Sequence, residues 1–160
     1  MKKVIIFVEG KTEQIFVRHY LLTWFGWEVD LRCQKIQNNN LTAAAFDNPR
    51  LDSEIHYRII DVGGDKKVFT EMKKRAKFYW KEGYSKLIGL RDLYSKQYEY
   101  ILSKGKKRPA IDKYINERII QKNEEEVQRF LTQENKLTDQ MQMCFAVMET
   151  EAWLLSIPNF

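Results

Sequence analysis

Four short apolar runs, alternating with helical patterns, constrain this 160-residue chain more than any other feature. They are Val4 to Val8 (VIIFV), His56 to Val62 (HYRIIDV), Leu87 to Leu90 within KLIGLRD, and Met143 to Met148 within MCFAVME. Each is too short for a helix of its own. A continuous apolar, β-branched run of this length has the character of a strand buried on both faces. Between the runs, apolar residues recur at helical spacing. Val17, Tyr20, Leu21 and Trp24 do so from Thr12 to about Phe25, and Val68, Phe69, Met72, Ala76 and Tyr79 from about Lys67 to Glu82. Tyr114, Ile115, Ile119, Val127 and Phe130 mark a third helix, from about Asp112 to Leu131. The alternation predicts an α/β fold, with a mainly parallel, doubly wound sheet of about four strands flanked by helices.

Two segments fit the alternation less well. Trp27 to Ile36 alternates Val29, Leu31 and Cys33 and reads as an extra strand, for which an antiparallel place at the edge is one option. Gln37 to Ser53 has no sustained period and reads as a loop. Ser95 to Pro109 reads as an insertion with a basic tip, Lys104-Gly-Lys-Lys-Arg108-Pro109. No Pro/Gly-rich linker divides the chain, so residues 1–160 are expected to form one domain, a length that suits a single core.

Composition excludes some classes. With 44% hydrophobic and 13% aromatic residues, the chain is not expected to be disordered. No stretch of eighteen apolar residues is present, so no membrane span is predicted. The start runs from two lysines into a strand without a small-residue cleavage site, so no signal peptide is expected. Cys33 and Cys144 have no metal-ligand spacing and read as reduced thiols of a cytoplasmic protein.

The net charge of +5 is unevenly spread. Nine Lys/Arg and two acids fall between Lys66 and Arg91, and eight Lys/Arg and three acids between Lys96 and Lys122. The last 38 residues hold seven acids and two bases. A basic middle of this size suits a polyanionic partner, and a solvated helix face would explain it as well. Phe78, Tyr79 and Trp80 among lysines resemble a stacking surface, although helical periodicity turns at least half of those rings toward the core.

The acids fall at the strand ends. Glu9 ends the first run, Asp61 lies near the end of the second, Asp92 ends the third and Glu149 the fourth, with Glu13 and Glu151 in the adjoining helix starts. In a parallel sheet those carboxyl ends share one edge, where ligands bind. Clustered carboxylates repel unless a cation offsets them or one stays protonated, and oxygen donors without His or Cys suit Mg²⁺ or Mn²⁺. Each acid also has a structural explanation. Glu13 can complement a helix dipole behind a Thr12 N-cap, Asp92 can pair with Arg91, and Glu149 and Glu151 can cap a final helix. Asp61, before Gly63-Gly64, reads as a turn residue rather than a ligand. His19 and His56 read as ordinary residues.

VEGKTE before an apolar helix, the Gly-Gly turn, the central RDLY and the late METEAWLL together resemble a Toprim-like domain. The resemblance spans about residues 4 to 156 and is closest to a Toprim-related family often encoded beside AAA-type ATPases. That family is in turn related to the overcoming-lysogenization-defect nucleases. It implies a Toprim/Rossmann-like fold, Mg²⁺ or Mn²⁺ as cofactor, and a nuclease acting on nucleic acid, with an ATPase partner in phage defence as one setting. Glu9 matches the glutamate that serves as general acid/base or metal ligand, and Asp92 the first aspartate of the family's D-x-D. The second aspartate is replaced by Tyr94. A full two-metal site would then need Glu149 or Glu151 from the neighbouring strand end and Glu13 from the first helix, which the family motif itself does not supply. The resemblance also implies that more sequence usually follows Trp153-Leu154-Leu155, or that a partner supplies the last elements.

Lys11, Lys66, Lys67, Lys106, Lys107 and Arg108 are the candidate nucleic-acid contacts, sequence-independent and salt-sensitive. Gly63-Gly64-Asp65-Lys66-Lys67 can bring backbone N–H groups close to a phosphate, and an ordinary left-handed turn explains the glycines equally well. It is not a Walker A loop, and no nucleotide cofactor is predicted. A non-catalytic module that binds nucleic acid or an ATPase is the alternative to a nuclease. A small-molecule phosphatase is a third reading, which leaves the basic middle unused.

Overall fold

The strand Lys2–Val8 (β1) lies at the heart of the sheet because both of its faces are apolar. Ile5 and Phe7 project to one side, and Val4, Ile6 and Val8 to the other, and all five are buried. The computed structural model describes residues 1–93 and 113–146. Within them β1 is followed by helix α1 (Lys11–Trp24), β2 (Asp30–Gln37), β3 (Asn40–Ala43), β4 (Ile55–Asp61), α2 (Val68–Lys81), β5 (Tyr84–Asp92), α3 (Lys113–Gln133) and β6 (Met141–Ala146). A single 3₁₀ turn, Asp65–Lys67, precedes α2. The six strands form one sheet in the order β3-β2-β4-β1-β5-β6, and every pairing is parallel except β2 with β3.

The predicted α/β class and parallel sheet are present, and the sheet is larger than expected. Trp27 to Ile36 does contain a strand, β2, but it pairs parallel with β4 and is not at the edge. The edge on that side is β3, which lies inside the segment read as a loop. Asn38 and Asn39, both at positive φ, form the tight turn that folds β3 back on β2. Asparagine tolerates the left-handed region better than most residues, so the asparagine run is a hairpin signal.

The helices divide between the two faces. Val17, Leu21 and Leu22 of α1 pack with Val4, Ile6, Val8, Leu31, Cys33 and Ile59. Val68, Met72, Ala76 and Tyr79 of α2, with Val127 and Leu131 of α3, cover Ile5, Phe7, Ile60, Leu87 and Met143 on the other side. The chain leaves β1 toward β2 over one face, and leaves β4 toward β5 over the other. Right-handed crossovers running in opposite directions must place their helices on opposite faces. Of the three consecutive aromatics, Tyr79 is buried, Trp80 stacks on Phe130 and only Phe78 is exposed. Among the described residues no helix is long and apolar enough to cross a membrane.

Candidate metal and phosphate site at the carboxyl edge

Strand β1 ends at Val8, and the chain turns at Glu9-Gly10 into α1. Gly10 is the N-cap of α1 in an extended conformation, and the first helical hydrogen bond runs from the Gln14 N–H to the Gly10 carbonyl at 3.1 Å. The helix therefore begins one residue before Thr12, and Thr12 is not the cap. Gly10 also lets Glu13 fold back. A Cβ at Gly10 would lie 3.2 Å from Glu13 Oε2, so the carboxylate of Glu13 lies against the residue next to Glu9. Glu13 is itself buried.

Glu9 links the ends of both strands beside β1. Its Oε1 accepts the backbone N–H of Asp92, the last residue of β5, at 2.7 Å. Its carbonyl accepts the N–H of Gly64, in the turn after β4, at 2.6 Å. Val62 N–H donates to the Val8 carbonyl at 3.0 Å and extends the β4 pairing past the strand end. The crevice between β1 and β5 is also where the topology switches. Chain leaving β1 runs toward β2, and chain leaving β5 goes to β6 on the opposite side. Ligands of open α/β sheets bind at such a point.

The turn after β4 is built around its glycines. Gly63 has φ 70° and Gly64 φ 142°, conformations that side chains resist. Asp61 Oδ1 accepts the Gly63 N–H at 2.8 Å, the turn role expected for it. Lys66 and Lys67 follow in the 3₁₀ turn, both exposed at the same edge. Lys11 is exposed as well, and its ammonium lies 5.6 Å from the Phe46 ring centroid, on the flank of α1.

The sequence-predicted acids are thus only partly brought together. Glu9 and Asp92 meet through a hydrogen bond, with Glu13 alongside Gly10. Among the described residues no three His, Cys, Asp or Glu side chains form a group suited to a metal ion. Tyr94, Glu149, Glu151, Lys106, Lys107 and Arg108 lie outside the described residues.

The chain matches no protein-family model, no curated protein and no solved structure.

Gln14 is a site residue that an inventory of acids and bases overlooks. It is buried, and its amide donates to the Gln34 carbonyl at 2.7 Å and the Ile59 carbonyl at 3.0 Å. The amide thus pins the first turn of α1 to β2 and β4, and with it Gly10 and Glu13. A signal exists in the sequence, since Gln14 shares the inward helical face with Val17 and Leu21.

Proposed function

We propose that this chain is a Toprim-like, Mg²⁺- or Mn²⁺-dependent nuclease or phosphodiester-processing protein acting on nucleic acid. Its site is the crevice between the ends of β1 and β5. The observation that carries the reading is the Glu9 carboxylate held 2.7 Å from the Asp92 N–H at the switch point of the sheet. That bond ties the Glu9 side chain to the backbone of Asp92, so the two acids stand on adjoining strand ends, with Glu13 close by.

The residues fit the ion. Mg²⁺ is usually held by one or two carboxylates, with substrate phosphates and water completing its shell. A carboxylate offers about four lone-pair sites, so accepting an N–H does not by itself prevent it from binding a cation. Glu9 and Asp92 would hold the ion, with Glu13, Glu149 and Glu151 as further donors. When bound, such an ion polarises the phosphodiester and lowers the pKa of water beside it. Lys66 and Lys67 would contact the strand backbone next to the crevice, and Lys11 farther out on α1. Lys106, Lys107 and Arg108 would extend that contact, and a cytoplasmic AAA-type ATPase in phage defence would be the partner.

A second reading, a non-catalytic module binding nucleic acid or such an ATPase, is favoured by Tyr94 in place of the second aspartate. Calorimetry with Mg²⁺ and Mn²⁺ on wild type and Glu9→Gln, followed by cleavage assays on supercoiled and single-stranded substrates, separates the two. The nuclease reading expects metal binding that Glu9→Gln removes. It also expects cleavage that Glu9→Gln and Asp92→Asn abolish with nucleic-acid affinity retained. Cleavage at the wild-type rate by both variants would refute it. Nucleic-acid binding without metal affinity or cleavage would favour the module.

A further inference from the structure

The opposite edge of the sheet carries a second polar constellation, which the carboxyl-edge reading leaves unused. Asp30, His56, Lys3 and Tyr84 are register partners in one row across β2, β4, β1 and β5. Paired residues of parallel strands project to the same face, so the four share the α2 side. Asp30 Oδ2 lies 2.6 Å from His56 Nδ1, and His56 Nε2 lies 3.0 Å from the Tyr84 hydroxyl. The Asp30 carboxylate accepts from Nδ1–H, and the Tyr84 hydroxyl, which can donate or accept, completes the partners of Nε2.

Arg32 and Arg58 form the next row on the same face. With Lys3, Phe78, Tyr84 and the acids Asp30 and Glu82 they line a cleft of about 280 Å³. Two of its three cations have local partners. Lys3 Nζ donates to the Glu82 carbonyl at 3.0 Å, and Arg32 lies 3.6 Å from Asp30 and 3.4 Å from Asp47. Arg58 differs. Its guanidinium lies 5.7 Å and 5.5 Å from the ring centroids of Tyr79 and Tyr84 and interacts with the Tyr79 phenol, and its buried Nε has no hydrogen-bond partner among the described residues. Ring faces offset only part of what a guanidinium loses on leaving water.

We infer that this amino-edge cleft is a binding site for a terminal phosphate carried on a flat aromatic body, such as a mononucleotide. Arg58 is the anchor and the exposed Phe78 ring is the stacking platform. A guanidinium fork matches phosphate oxygens in a bidentate way, which an ammonium does not. The cleft is too small for much more than the phosphate group and part of its carrier, so the remainder must leave over Phe78, more than half of which is exposed at 55%. Tyr84 turns its hydroxyl inward to His56 and stays protonated, its phenol pushed up to about 12 mainly by burial. It therefore adds no negative charge beside the anion. Lys3 lies near the start of β1 and Glu9 just past its end, about 20 Å away, so this site is separate from the carboxyl-edge crevice.

The test is calorimetry with inorganic phosphate, adenosine 5′-monophosphate and adenosine, on wild type, Arg58→Gln, Phe78→Ala and Glu9→Gln. Thermal melts confirm that each variant is folded. Wild type and Glu9→Gln should bind the monophosphate equally, and adenosine far more weakly. Arg58→Gln should weaken the monophosphate by about tenfold or more, the loss expected for a charge-assisted hydrogen bond. Phe78→Ala, a change at an exposed ring, should weaken it severalfold without weakening inorganic phosphate. A 5′-phosphorylated and a 5′-hydroxyl DNA strand then distinguish the sources. A preference for the phosphorylated strand that vanishes in Arg58→Gln identifies a strand end, and its absence a free mononucleotide. Adenosine binding as tightly as the monophosphate would overturn the inference. So would the absence of binding by any phosphate probe, or unchanged affinity in folded Arg58→Gln.

Discussion

His56 Nδ1 lies 2.6 Å from Asp30 Oδ2, where the neighbouring strands β4 and β2 begin. Burial opposes ionisation of Asp30. The hydrogen bonds from His56 and the Arg50 N–H, with the positive charge of His56 and Arg32, outweigh it and hold the carboxyl below its usual range. A depressed carboxyl contributes stability that is present above its unfolded value, about 3.9, and is lost as pH falls through the lower folded value. Melting temperatures taken from about pH 5 to about pH 2 should therefore fall more steeply for wild type than for Asp30→Asn. Parallel curves would contradict this account of Asp30.

The alkaline limb tests Tyr84, whose phenol is raised to about 12, first by burial and against the opposing charge of Arg58. A raised group contributes stability that is complete below its unfolded value, about 10 for tyrosine, and is lost as pH rises through the folded value. Tyr84→Phe should be less stable than wild type near neutrality, because His56 Nε2 loses its hydrogen-bond partner. It should also lose less of its stability between about pH 10 and 12. Urea midpoints measured across that range provide the comparison.

Gly89, inside β5, faces α2 and β6. A Cβ there would press on the sulfurs of Met72 and Met143 and lie 3.0 Å from Val68 Cγ1. Gly89→Ala should cost about 1–3 kcal/mol, because the extra methyl overpacks a core joining two helices to the sheet. Chemical denaturation measures it, and a neutral effect would mean that both methionines reorient freely.

Removing the Gln14 amide should uncouple α1 from the strands. Gln14→Leu deletes both hydrogen bonds to the Gln34 and Ile59 carbonyls in a buried setting, and is expected to destabilise by about 1–3 kcal/mol. If the carboxyl-edge site binds Mg²⁺, the same variant should weaken that binding in calorimetry, because Glu13 belongs to the same helical turn. Full stability with full affinity would assign Gln14 no positioning role.

Both cysteines should be poor nucleophiles in the native state. Burial and the nearby Asp47 carboxylate push the Cys33 thiol up to about 12, and burial also raises Cys144. Reaction follows the thiolate, so a disulfide reagent at neutral pH should label the native chain slowly and the denatured chain at both positions. Rapid labelling of native Cys33 would show that the core around it opens.

Much of this molecule follows from local patterns. Val4 to Val8 is apolar on both faces, so it can only be an interior strand, and the spacing of Val68, Met72, Ala76 and Tyr79 dictates which side of α2 is buried. The same spacing leaves Phe78 exposed. Acids following apolar runs mark strand ends on one edge whatever the strand order is.

Pairing is a non-local choice, and there the sequence is silent. Nothing near β1 says that β4 inserts between it and β2, which places the Gly63-Gly64 turn beside Glu9. Residues 37 to 53 read as a loop because β3 is short and half-exposed, with one face of its hairpin never fully buried. His56 read as ordinary because Asp30 and Tyr84 are remote from it in the chain. Only a shared register across parallel strands sets the three in one row. Hydrophobic periodicity reports the side a residue must hide, which is a property of its own neighbourhood. Which partners it meets there depends on strand order and register, and these are settled only when the sheet closes on the whole core.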